Sequence, residues 1–129
     1  DGDGIAHAVF DVPGRSMNTL TAKAVADIIA ISKEVASNDA IKGLVISSGK
    51  PSGFCAGADL GEMNQSAGAG KSPADMSEAE LKKAQFDRGF SLNKTLRELE
   101  TCGKPVAVAL NGLALGGGLE VAAPSACHA

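Results

Sequence analysis

Val106-Ala107-Val108-Ala109-Leu110, followed closely by Gly116-Gly117-Gly118-Leu119-Glu120, decides how this chain is read. A short apolar run that enters a glycine-rich turn predicts a strand leading into a helix, the building step of α/β architectures. Glycines at a helix start leave backbone N–H groups bare. Glu120 stands one turn further in, so hydrogen-bond donors and an acid/base group fall side by side.

A second segment repeats this order. After Gly43-Leu44-Val45-Ile46 the chain reads Ser52-Gly53-Phe54-Cys55-Ala56-Gly57-Ala58-Asp59-Leu60. In both segments a carboxylate follows the mid-strand residue by a similar interval, from Ile46 to Asp59 and from Val108 to Glu120. The pattern is a weak internal repeat of strand, loop and helix.

The remaining pattern supports one α/β domain. Residues 5–11 form a first strand, which Val12-Pro13-Gly14 ends as a turn. Over residues 21–37, Ala24, Ile28, Ile31 and Val35 recur on one helical face, with Asn38 as the stop. Residues 42–47 are a short continuous apolar run, the kind buried on both faces of a parallel sheet. Residues 48–57, rich in Ser, Gly and Pro, read as an ordered loop at a strand end, where α/β proteins place ligands. Residues 64–73 have no apolar rhythm and predict a mobile excursion.

Ser77 and Glu80 have the spacing of a capping box and restart a helix, whose inner face takes Gly89, Leu92, Leu96 and Leu99. Gly103-Lys104-Pro105 breaks that helix and launches a third strand, with Lys104 as a solvated charge at the strand entrance. In the last helix Pro124 cannot donate to the carbonyl of Glu120, which predicts a kink or an end there.

Composition narrows the function. The chain has 129 residues, 44% hydrophobic and 21% charged, enough for one respectable core. It has no Trp or Tyr and only four Phe, and its formal net charge is -3, so a base-stacking or polyanion-binding surface is not expected and nucleic acid is excluded as a partner. No apolar run approaches the roughly 18 residues of a membrane span, and no signal-peptide pattern opens the chain. A soluble compartment is expected, cytoplasmic in a bacterium or an organelle matrix in a eukaryote.

Cys55, Cys102 and Cys127 lack metal-ligand spacing, so reduced thiols and no metal site are expected. His7 fits a strand residue better than a base. Gly68-Ala69-Gly70-Lys71-Ser72 imitates the end of a phosphate-binding loop, but Gln65 stands where its first glycine belongs. Residues 112–117 fail the dinucleotide fingerprint because Ala114 replaces a glycine.

The small residues Ala56, Gly57 and Ala58, and again Gly116, Gly117 and Gly118, let a ligand approach the main chain. Two such turns can supply the paired N–H donors of an oxyanion hole. The helix starting at Gly117 adds the positive end of its dipole, which favours negative charge developing on a carbonyl oxygen.

These residues carry a resemblance. Phe54-Cys55-Ala56-Gly57-Ala58-Asp59-Leu60, Lys104-Pro105-Val106, Asn111-Gly112 and Gly116-Gly117-Gly118-Leu119-Glu120 resemble the enoyl-CoA hydratase/isomerase (crotonase) superfamily. Pro13-Gly14-Arg15-Ser16-Met17-Asn18 further resembles the hydratase portion of multifunctional fatty-acid oxidation proteins that also carry a 3-hydroxyacyl-CoA dehydrogenase.

The resemblance implies a crotonase-like α/β fold of repeated strand-strand-helix turns. Residues 1–129 would be a single, partial hydratase domain, its N-terminal portion only. The N–H groups of Ala58 and Gly117 would hold the thioester oxygen of an acyl-CoA, and Glu120 would be the first of two glutamates that hold and activate water. Ala56, Gly57, Asp59 and Leu60, with Gly116, would line the CoA side. The implied reaction is hydration of a 2-trans-enoyl-CoA to a 3-hydroxyacyl-CoA in fatty-acid β-oxidation.

No cofactor is implied beyond the CoA of the substrate. The second hydratase glutamate lies beyond Ala129 in the family pattern, which implies impaired water addition by residues 1–129. An enoyl-CoA isomerase of the same superfamily and a non-catalytic acyl-CoA-binding or partner-binding fragment are the alternatives. The full-length family implies a trimer-like homo-oligomer or a multifunctional complex.

Overall fold

Strand β1 (Ile5–Phe10), helix α1 (Ala22–Ser37) and strand β2 (Gly43–Ser48) open the fold of the computed structural model, which describes residues 2–62 and 77–126. Then come β3 (Gly53–Cys55), α2 (Glu78–Glu100), β4 (Val106–Ala109), β5 (Leu113–Ala114) and α3 (Gly117–Ala126). The stretch 64–73 and the Gly68–Ser72 imitation lie outside the described residues, as do Cys127 and the side-chain surroundings of Gly89 and Leu92.

β2 is the central strand of a three-stranded parallel sheet in the order β1-β2-β4. Gly43, Leu44 and Ile46 are buried there, as a continuous apolar run predicts. β3 and β5 form a second, two-stranded parallel sheet.

Two short strands correct the sequence reading. Residues 48–57 are not all loop, because Gly53–Cys55 pairs as β3, and Leu113–Ala114 pairs with it as β5. The repeating unit is therefore strand, strand, helix, as the family resemblance implies and the residue spacing alone does not. Runs of three and two residues are too short to show a period-2 alternation. The repeat itself is real and in register, since Ile46 is the partner of Val108 across β2 and β4.

Leu20, Val35, Leu44, Ile46, Phe54, Cys55, Leu96, Leu99 and Val121 make one core between the sheet and the helices. Phe10 and Phe54 meet edge to face at 6.2 Å between centroids. Leu96 and Leu99 reach that core from the predicted inner face of α2. The α2 capping box forms as read: the Ser77 N–H donates to Glu80 Oε2 at 2.8 Å and the Glu80 N–H to Ser77 Oγ at 3.3 Å.

Lys104 is not a solvated charge. Its ammonium donates to the carbonyls of Val35 at 2.6 Å and Asn38 at 2.8 Å, so it caps the negative C-terminal end of α1 and ties β4 to that helix. Nor does α3 end at Pro124, since it runs on to Ala126. Proline removes one hydrogen bond near the last turn, where few bonds remain to be lost.

Candidate active site

Asn18 organises the floor of the site. Its side chain is fully buried, with Oδ1 accepting from the Val12 N–H at 2.8 Å. Nδ2 donates to the Phe10 carbonyl at 2.7 Å, Ser48 Oγ at 3.0 Å and the Phe54 carbonyl at 3.1 Å. One amide thereby joins the ends of β1 and β2 to the middle of β3. In the sequence Asn18 is marked only by its place in the Pro13-to-Asn18 resemblance. An Asn after a Pro-Gly turn gives no signal that it will be buried.

The two small-residue turns are packed against one another. The Leu115 N–H donates to the Cys55 carbonyl at 3.0 Å, extending the β3–β5 pairing up to the turns. Gly57 has φ +93°, and a Cβ there would meet the Leu115 carbonyl oxygen at 2.9 Å. A Cβ on Gly118 would meet Cys55 Cβ at 2.7 Å and the Cys55 carbonyl oxygen at 2.8 Å. Glycine is needed at both positions, at the first for conformation and clearance and at the second for clearance alone.

These contacts set side by side the two turns that carry Ala58 and Gly117, three residues after Cys55 and two after Leu115. None of the hydrogen bonds among the described residues uses the N–H of Ala58 or Gly117, although their neighbours are engaged. The Ala56 N–H donates to the Asn18 carbonyl, the Asp59 N–H to Leu20, and the N–H groups of Gly118, Leu119 and Glu120 close the first turn of α3. Ala58 is exposed and Gly117 half-buried, so two unused donors lie at the surface of adjoining turns. Gly116, at φ +49°, turns the chain into α3.

Glu120 lies in the first turn of α3 and is exposed. Asp59, its counterpart in the repeat, is 3% exposed. The Asp59 carboxylate accepts from the Glu62 N–H at 2.9 Å and the Thr19 hydroxyl at 2.8 Å, and pairs with the Arg15 guanidinium at 2.8 Å. The Glu62 N–H first, then the Thr19 hydroxyl, hold its pKa below the usual carboxylate value, against the opposing effect of burial. Its side chain is thus spent on the protein, and only its main chain is left to line a ligand. Ala56 is half-buried, Gly57 buried and Leu60 71% exposed.

Cys55 is buried, and burial raises its thiol pKa despite the Gly57 N–H directed at Sγ. It packs as a small apolar residue beneath the turns. A crevice of about 460 Å³ between β1 and α1, lined by Phe10, Pro13, Ala24, Ile28 and Leu44, touches neither Ala58, Gly117 nor Glu120. It is separate from the candidate site. Among the described residues no group of three His, Cys, Asp or Glu side chains is placed to hold a metal.

Solved structures share this arrangement. The chain superposes on an enoyl-CoA hydratase/isomerase from Mycobacterium abscessus with a TM-score of 0.72 at 25% identity, covering 96% of this chain and 43% of that one. An enoyl-CoA hydratase/carnithine racemase from Magnetospirillum magneticum gives 0.73 at 24% identity, covering 95% and 41%. The architecture is the α/β crotonase fold, of which this chain comprises a part.

The enoyl-CoA hydratase/isomerase family model matches residues 6–128. The chain is 41% identical over 126 residues to the fatty acid oxidation complex subunit alpha of Shewanella amazonensis, and 40% identical to that of Idiomarina loihiensis. It spans 98% of its own length but 16% of each of those relatives. The chain belongs to the enoyl-CoA hydratase/isomerase family.

Proposed function

We propose that the chain carries the carbonyl-binding half of an enoyl-CoA hydratase site. The observation that carries this reading is the junction of the two turns, where the Leu115-to-Cys55 hydrogen bond joins segments whose Ala58 and Gly117 N–H groups have no described protein acceptor. Two N–H groups directed at one thioester oxygen stabilise the enolate-like charge that develops when a nucleophile adds to C3. The α3 dipole acts on the same oxygen from Gly117.

Water addition then proceeds with Glu120 as one of two carboxylates. The water oxygen bonds to C3, the C2=C3 electron pair moves onto C2 and the polarised carbonyl, and a proton reaches C2 on the same face to give the 3-hydroxyacyl-CoA. Glu120 holds the water and exchanges its proton. In the family pattern the second carboxylate lies beyond residue 129. CoA enters only as part of the substrate, its carrier lying along the main chain from Ala56 to Leu60 and at Gly116. By similarity to the fatty acid oxidation complex subunits, the setting is β-oxidation within a multifunctional or oligomeric assembly.

The test follows loss of the conjugated enoyl thioester absorbance with crotonyl-CoA. It compares the full gene product, its Glu120→Gln variant and residues 1–129 alone. Glu120→Gln is expected to lower kcat by at least about 100-fold with little change in KM, the size expected for loss of a positioned acid/base. A full gene product that does not hydrate crotonyl-CoA but interconverts 3-enoyl and 2-enoyl thioesters would move the assignment to isomerase. If it is inert toward both but binds acyl-CoA, the non-catalytic reading stands.

A further inference from the structure

The segment leading from Arg15 into α1 lies along the loop from Ala56 to Glu62 and is bonded to it at successive positions. The Ala56 N–H donates to the Asn18 carbonyl at 2.8 Å, the Leu20 N–H to the Gly57 carbonyl at 2.8 Å, and the Asp59 N–H to the Leu20 carbonyl at 3.3 Å. Side chains continue the pairing, Thr19 and Arg15 onto Asp59, and Glu62 Oε2 onto the Ala22 N–H at 2.6 Å.

One of these bonds has a geometric consequence for the candidate donor. The Gly57 carbonyl and the Ala58 N–H belong to the same peptide plane, and in a trans peptide they point in opposite directions. Bonding Leu20 to that carbonyl therefore aims the Ala58 N–H away from the 15–22 segment. Rotation of the plane would break the Leu20 bond. Next to these backbone bonds the buried Asp59 carboxylate grips the segment at Thr19 and Arg15 and caps the helical turn that starts at Leu60.

We propose that Asp59 is a positioning residue: by fastening the Arg15–Thr19 stretch to the loop, its carboxylate fixes the Gly57–Ala58 peptide plane and so aims the Ala58 N–H at the thioester oxygen. The inference rests on the assignment of Ala58 as an oxyanion donor. Asp59 touches no reacting atom, and its effect is transmitted through the backbone bridge at Leu20. An oxyanion donor is worth about 10² to 10³ in turnover when removed, so a misaimed one costs about tenfold or more.

The experiment uses a dialkylaminocinnamoyl-CoA, a chromophore whose absorbance moves to the red as its carbonyl is polarised, together with crotonyl-CoA turnover, on the full gene product. Wild type is expected to bind the probe with a red shift. Asp59→Ala should bind it with less than half that shift, and should lower kcat about tenfold while KM changes less than about threefold. Asp59→Asn, whose single oxygen can still accept from the Glu62 N–H while its amide nitrogen donates to the Thr19 hydroxyl oxygen, should recover part of both.

A full red shift and wild-type kcat in Asp59→Ala overturn the inference while leaving the donor assignment intact. Wild type that binds the probe with no shift overturns the donor assignment, and this inference with it. If Asp59→Ala does not fold, Thr19→Val and Arg15→Gln each remove one bond to the carboxylate. Each is expected to reduce the shift, and a full shift in both overturns the inference.

Discussion

Asp59 and Glu120 follow their strands at similar intervals, yet Asp59 precedes the helical turn that starts at Leu60 whereas Glu120 lies inside the first turn of α3, and their surroundings differ. Glu120 is exposed beside an unused N–H, while Asp59 is buried under a backbone donor, a hydroxyl and a guanidinium. Because the folded protein holds the Asp59 pKa below its ordinary value, the unfolded chain binds its proton more readily in acid. Its contribution to stability is therefore complete above the unfolded value of about 3.9 and is lost as pH falls through the lower folded value. Urea midpoints measured from neutral pH into this acid range should fall more steeply in wild type than in Asp59→Asn. Parallel curves would show that the carboxylate is not linked to folding. The sequence places both acids beside small-residue turns, and such spacing carries no information about burial, which for Asp59 is decided by what arrives from residues 15–22.

The longer elements were legible because each has a period and punctuation: α1 between Thr21 and Asn38, α2 behind its capping box, and β2 as an apolar run. β3 and β5 were not, since their pairing depends on tertiary contact between two turns rather than on side-chain alternation. The role of Lys104 is hidden for a related reason, as its partners are at the C-terminal end of α1, far away in sequence. The closeness of the site turns rests on Gly118, where a Cβ would fall 2.7 Å from Cys55 Cβ and 2.8 Å from its carbonyl oxygen. Backbone cannot yield as a flexible side chain does, so α3 must shift away from β3. Gly118→Ala is expected to cost about 1–3 kcal/mol by overpacking and to lower turnover, since the shift carries Gly117 and Glu120 with it. Thermal melts and crotonyl-CoA turnover read both effects. Gly2→Ala, with nothing within 4 Å of the added carbon, is the neutral control. Equal melting temperatures for the two variants would contradict the packing argument.

The two units together build a site and also leave apolar surface around it. Among the described residues the exposed large hydrophobics are Val9, Leu60, Leu110, Leu113, Leu115 and Leu119, and of these Leu60, Leu113, Leu115 and Leu119 lie within three residues of the site turns in the chain. Leu60 is 71% exposed and Leu119 53%. Leucines scattered singly are ordinary, but several flanking the same turns favour association in water. The solved relatives are more than twice as long as this chain, which covers 43% and 41% of them. Residues 1–129 expressed on their own should therefore self-associate, because the driving force grows with the apolar area removed from water, at roughly 25 cal/mol per Å². Size-exclusion elution should move to larger species as protein concentration rises, and replacing Leu113 and Leu119 with serine should move it back toward monomer. A compact monomer at every concentration, with no change in the double variant, would mean that these leucines do not drive association.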